Sequence, residues 1–217
     1  MRGTSIKQTI VFFILNMLQA RSQPRSDNRR QQVLEAAANL FVEKGYHGTS
    51  IRDIAKSTSM LPGSLYYHFP SKGALLTAVF EEGVRRIGDR VDEALQSAES
   101  EPWLRLQSAC EAHLQMLLGG SSFAQVVVRI LPNDAPDSAS SLVVMRDSYE
   151  ARFRDLMAEL PLKAGTDRKI FRLMLMGAMN HAPVWFRRNG ATAAELAQQF
   201  VGNLQAAHGD PKTEIQK

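Results

Sequence analysis

Tyr66, Tyr67 and His68 stand in a row straight after Pro62, Gly63 and Ser64, with Arg52, Lys56 and Lys72 nearby. Rings with polar tips can stack and hydrogen-bond, and long cations neutralise phosphates. Thr49 and Ser50 add small hydroxyl donors for a phosphate oxygen, and Gly63 leaves space for close approach. Lys72 falls in the first turn of a helix, where free backbone N–H groups also favour an anion. Such a set could grip a polyanion. The bland alternative is an aromatic core cluster, the ordinary role for Phe69 taken alone. Charge placement favours the first reading. Residues 21–72 hold eight basic side chains against four acidic ones, and the rest of the chain balances at eighteen of each, so the whole net charge of +4 sits around this motif.

The elements that must position these residues are short. Apolar residues recur every three or four positions almost throughout, which predicts an all-α chain. A first helix is expected over 27–44, with Val33, Ala36, Ala37, Leu40 and Phe41 inward and Gly45 as its stop. Thr49 or Ser50 caps a second, carrying Ile51, Ile54 and Ala55. A break at 57–59 leads to a third over 61–67, and Ser71 caps a long fourth reaching residue 97. Two-turn helices are poor at standing alone. Helix, tight turn and helix, braced by a preceding one, form the helix-turn-helix arrangement, whose second short helix enters the DNA major groove.

The run "VLEAAANLFVEKGYHGTSIRDIA…PGSLYYHFPSKGALL" resembles the DNA-binding domain of the tetracycline-repressor (TetR) family of bacterial transcription regulators, over about residues 29–79. The resemblance implies an all-helical homodimer that binds a palindromic double-stranded operator and releases it when a small molecule enters its C-terminal domain. It makes Thr49, Ser50, Arg52, Leu61, Pro62, Gly63, Ser64, Tyr66, Tyr67, His68 and Lys72 the DNA-contact candidates, while Leu65 and Phe69 pack the recognition helix. Tyr66 and Lys72 are expected to serve DNA rather than folding, so Lys72→Ala should leave the melting temperature nearly unchanged. Two positions depart from the family pattern. Ser59 stands where glycine is usual and must bear a left-handed backbone at a cost of about 1 kcal/mol. Leu61 replaces a small polar residue and cannot cap.

Further helices are expected from Pro102 to Gly119, from Ser121 to Pro132, over 137–160, from Thr166 or Asp167 to about 186, and over 192–207. Ile170, Leu173, Met174, Gly177, Ala178, His181 and Trp185 share one stripe. With Leu196, Phe200 and Leu204 it suits a four-helix dimer interface, where the family usually dimerises; an internal helix pair is the alternative. "MGAMNHAPVWFRRNG", "RILPND" and "RDSYEARFRDLM" are similar to a family branch with an Asn-x-x-x-x-Trp-[Phe/Tyr] segment, some of whose members sense acyl-CoA thioesters and govern lipid catabolism; His181 stands where such members often have Trp. A hydrophobic effector, an acyl-CoA in this reading, would be lined by His113, Met116, Phe123, Val127, Arg129, Met145, Tyr149, Phe153, Met174 and Asn180, with Arg129 an inward cation seeking an anion. The core is the alternative for each. A drug-efflux regulator sensing hydrophobic compounds, or a DNA-binding protein without an inducer, would carry the same DNA-reading half.

The five histidines lack metal-ligand spacing, and no P-loop, dinucleotide fingerprint or nucleophile elbow occurs, so neither enzymatic activity nor a cofactor is expected. The single cysteine, Cys110, excludes an intrachain disulfide and reads as buried filler in a reducing compartment. Residues 1–26 form an N-terminal extension: a misplaced start, for which Met17 would serve, or an added docking helix or flexible arm. An export signal is disfavoured, since the expected site is cytoplasmic. The organisation read from the sequence is thus 27–87 for DNA, 88–208 for ligand and dimerisation, and a flexible tail over 209–217.

Overall fold

The computed structural model describes residues 25–187 and 190–210. Among them lie nine α-helices: α1 (Arg25–Gly48), α2 (Ile51–Ser57), α3 (Pro62–His68), α4 (Lys72–Ser97), α5 (Pro102–Leu118), α6 (Ser122–Arg129), α7 (Ala139–Glu159), α8 (Arg168–Trp185) and α9 (Ala193–His208). Gly45 breaks α1 with a left-handed φ of 72°, so the stop expected there is real and one further turn follows it. The starts of α2, α4, α8 and α9 are set by side chains that satisfy free backbone donors. Ser50 and Asp53 form a reciprocal capping box at α2, Ser71 accepts from the Ala74 N–H, and Asp167 accepts from Lys169 and Ile170. Thr192 and Glu195 cap α9 in the same reciprocal way as α2.

α1, α2 and α3 close over one apolar cluster with the start of α4. Val33, Ala37, Phe41, Ile54, Leu65, Phe69, Leu76 and Phe80 are all buried in it. α4 continues into the second half of the molecule, where its buried face (Gly83, Ile87, Val91) meets α5, α6 and α7. Gly83 permits the α4–α6 crossing: a Cβ there would lie 2.6 Å from the Phe123 carbonyl oxygen and 2.7 Å from Val127 Cγ2. α5 is central, packing against α4, α7, α8 and α9. Arg152 of α7 donates two hydrogen bonds to Asp92 of α4 at 2.8 and 2.7 Å, cross-linking two long helices.

Two details differ from expectation. α7 starts at Ala139 rather than 137, because Pro132 and Pro136 each head a 3₁₀ turn before it. The chain after α9 is also held at its first two residues: Lys163 N–H donates to the His208 carbonyl at 2.8 Å and Asp210 N–H to the Pro161 carbonyl at 2.9 Å. The tail expected from 209 is thus tied down through 210, while 211–217 and most of the N-terminal extension lie outside the described residues. Cys110 is buried, and burial pushes its thiol well up.

Candidate nucleic-acid interface

The surface at α2 and α3 is built by a turn with no slack. Met60 N–H donates to the Ala55 carbonyl at 2.8 Å, and the Thr58 hydroxyl donates back to the Ile54 and Ala55 carbonyls at 3.0 and 3.1 Å. Ser59 bridges the two helices with a φ of 54°, the left-handed backbone expected of it. α3 then opens on Leu61 with no side-chain cap and Pro62 at its first position. Leu65 and Phe69 are sunk in the core, and the Arg30 guanidinium lies 5.4 Å over the Phe69 ring. Anchoring those two residues turns the remaining side chains of α3 outward. Leu61, Gly63, Ser64, Tyr66 and Tyr67 are exposed, Pro62 and His68 are half-buried, and the Tyr67 and His68 rings meet edge-on at 5.5 Å. Arg52 and Lys56 are exposed on α2.

Three contact candidates sit differently from expectation. Thr49 is buried, and its hydroxyl lies 3.0 Å from the Leu40 carbonyl and 2.8 Å from the Gly45 carbonyl, so it closes the α1–α2 bend instead of facing outward. Ser50 is exposed, but its hydroxyl is committed to Asp53 at 2.6 Å. That bond and the backbone N–H of Ser50, aided by Lys44 and Lys56, hold the Asp53 carboxyl below the usual carboxylate range. Lys72 is half-buried; its ammonium donates to the Tyr46 carbonyl at 2.9 Å and the Thr49 carbonyl at 3.0 Å, and lies 4.3 Å over the Tyr46 ring. The Lys72 ammonium thus bridges the two sides of the α1–α2 bend, a contact within the chain that the sequence reading did not anticipate. No periodicity could show a contact 26 residues apart in the chain.

The expected effector residues divide. His113, Tyr149, Phe153 and Asn180 do converge from α5, α7 and α8. His113 Nδ1 is 2.6 Å from the Tyr149 hydroxyl and Nε2 is 3.0 Å from Asn180 Oδ1, while the Phe153 ring meets the imidazole edge-on. A neutral imidazole satisfies both bonds, accepting from Tyr149 and donating to Asn180. Burial lowers the His113 pKa to about 4 and raises that of Tyr149. Phe123 and Val127 are buried instead against Gly83 of α4, and Met116 and Met145 are half-buried against the core.

Arg129 and Met174 are corrected. Arg129 is exposed rather than inward. It borders an open cleft of about 270 Å³ lined by Phe41, Tyr46, His47, Ile130 and Asp134, a feature for which the sequence offered no signal. Met174 faces outward on α8. Ile170, Leu173, Met174, Gly177, Ala178, His181 and Trp185 are all exposed along that helix, joined by Val184, which the sequence stripe omitted. Opposite them Phe171, Leu175, Met179 and Ala182 face the core. Of the α9 residues, Phe200 and Leu204 are half-buried and Trp185 meets the Phe200 ring at 6.4 Å. Leu196 is buried within the subunit and so is not available to a partner. The sequence also missed the ion pair of Arg172 with Glu150, which joins α7 to α8.

This geometry defines a class: a helix-turn-helix unit whose reading helix is anchored by two core residues, joined through α4 to an all-helical second unit. Residues 33–79 match the family described as bacterial regulatory proteins, tetR family, and residues 99–206 match the tetracyclin repressor-like C-terminal domain. The chain belongs to the TetR family of bacterial transcription regulators. It is 39% identical over 79 residues to the HTH-type transcriptional repressor KstR2 of Mycolicibacterium smegmatis, spanning 36% of this chain and 38% of that protein's length. It is 27% identical over 184 residues to the HTH-type transcriptional activator FasR of the same organism, spanning 84% of this chain and 83% of FasR. Among solved structures it is similar to AibR in complex with isovaleryl coenzyme A and operator DNA, with a TM-score of 0.70 and 22% identity over 81% of this chain and 97% of AibR.

Proposed function

We propose that the protein is a cytoplasmic, non-enzymatic transcriptional regulator. As a homodimer it binds a palindromic double-stranded operator, and it releases the DNA when a hydrophobic small molecule enters its C-terminal half. The observation that carries this reading is the seating of α3, with Leu65 and Phe69 in the core and Ser64, Tyr66 and Tyr67 clear of it. Residues 27–87 form the DNA-binding unit, with Arg52, Gly63, Ser64, Tyr66, Tyr67 and His68 at the duplex. Residues 88–208 form the ligand-binding and dimerisation unit.

A second copy is the partner that the exposed face of α8 fits. A helix apolar on both faces is buried on both sides, and the small Gly177 and Ala178 at mid-stripe let two backbones approach closely. A two-fold axis there matches the symmetry of a palindrome. For the effector, the reading is a hydrophobic carboxylate or its CoA thioester. His113, Tyr149 and Asn180 form a polar cluster inside an apolar helix bundle, chemistry that suits a carbonyl oxygen among hydrocarbon walls. The isovaleryl coenzyme A held by AibR supports the same class.

The test is selection of duplexes from a random pool by the full chain, followed by release assays with acyl-CoAs, free fatty acids and hydrophobic amines. Enrichment of a palindrome that acyl-CoAs release supports the whole reading. Release by amines alone makes it a drug-efflux type regulator, and release by none leaves a DNA-binding protein without an inducer of these classes. Failure to enrich any sequence sinks the proposal.

A further inference from the structure

Leu61 stands exposed beside the outward-facing side chains of the reading helix. The residue is 76% exposed at the entry to α3. It occupies the capping position with extended backbone (φ −76°, ψ 141°) and satisfies none of the helix's free donors. Pro62, which follows, has no N–H, so the start of α3 is also poor in donors for a phosphate. Past it, a Cβ added at Gly63 would meet nothing within 4 Å, and Ser64 and Tyr67 are exposed on the same helix. The entry of the reading helix is therefore apolar, uncapped and sterically open.

Resting on the DNA-binding reading above, we propose that Leu61 is a specificity-determining residue that reads a thymine methyl group in each half of the operator. In the major groove, where a reading helix lies, bases display hydrogen-bond donors and acceptors throughout, and their one apolar group is the thymine C5-methyl. An aliphatic side chain that cannot hydrogen-bond gains there only by covering that methyl. It also penalises the polar edges of other bases, which it would strip of water without replacing their partners. Ser64, with its hydroxyl, and the two tyrosines remain free for the polar edges. Leu61 thus adds a base preference that a small polar residue at this place would not.

The experiment uses the duplex enriched by the full chain, with each thymine replaced singly by uracil. Uracil keeps the hydrogen-bonding edge and lacks the methyl. Binding is measured by fluorescence anisotropy for the wild type, Leu61→Ala and Leu61→Met. The transfer value of one methyl-sized group predicts a loss of about fourfold per half-site, or about fifteenfold when both symmetric thymines are replaced. One thymine per half-site should show this penalty in the wild type and in Leu61→Met, which keeps apolar reach. In Leu61→Ala the penalty should vanish at that position and persist at the others. Circular dichroism should be unchanged in both variants, since the side chain lies outside the core. If no thymine shows a methyl penalty that depends on residue 61, the inference fails while the DNA-binding reading stands. If no duplex is enriched at all, both fail together.

Discussion

Replacing Lys72 by methionine removes one ammonium group and keeps the apolar stem beneath it. The structure assigns that group two carbonyl partners, Tyr46 at 2.9 Å and Thr49 at 3.0 Å, and a ring face at 4.3 Å. A hydrogen bond to a charged group contributes about 1.5–3 kcal/mol when buried. Lys72 is half-buried, so solvent screening brings each bond nearer about 1 kcal/mol. The cation over the ring adds about 0.5 kcal/mol, and ordering the lysine side chain returns roughly 1 kcal/mol of that. The net loss is about 1.5 kcal/mol. In a protein of 150–250 residues that lowers Tm by about 3–6 °C.

The clamp and a phosphate contact give opposite signatures, which makes the variant decisive. Each phosphate contact contributes about 0.9 to the slope of log affinity against log salt, so a dimer with Lys72 on one phosphate per half-site would lose about 1.8 from that slope. The expected result for Lys72→Met is a lowered Tm with the salt slope of operator binding unchanged. An unchanged Tm, within about 1 °C, together with a slope reduced by about 1.8, would refute the clamp and return Lys72 to the DNA.

Tyr66→Ala removes an exposed ring from α3, so operator affinity should fall at least tenfold, about 1.4 kcal/mol, while the melting curve stays put; a matching drop in Tm would mean that Tyr66 supports the fold. Ala178→Glu places like charges across the two-fold axis proposed for α8, and sedimentation should show monomers that no longer hold a palindrome tightly. A variant that remains dimeric would move the interface off α8. The pKa of His113, lowered by burial to about 4, makes stability depend on acid. Between that value and the ordinary 6.5 the unfolded chain binds the proton and the folded one does not, so stability is full above about pH 6.5 and falls as pH drops toward 4, by about 2 kcal/mol at pH 5. His113→Gln should flatten that slope in urea melts, and an equally steep slope in the variant would place the titration elsewhere.

What the sequence made legible, and what it hid, follows from the range of the interactions involved. Ser71, Asp167 and Thr192 cap helices as their local patterns require, and Gly45 and Ser59 take left-handed backbone where a stop and a turn were read. Each of these is decided within about four residues. The core roles of Leu65 and Phe69 were legible through the family resemblance and are confirmed by their burial. The intrachain contacts of Thr49 and Lys72 were not legible because their partners come from the far side of the α1–α2 bend, where chain spacing carries no information. α8 shows a different limit. Phe171, Leu175, Met179 and Ala182 form one apolar face and Ile170, Leu173, Met174 and Trp185 form another. A helical wheel identifies both faces but cannot say which one its own subunit covers, so Met174 fitted a pocket and an interface equally well. The fold resolves it by burying the first face against α5 and α7, and among the described residues the second is left as exposed apolar surface, the face on which the dimer proposed above rests.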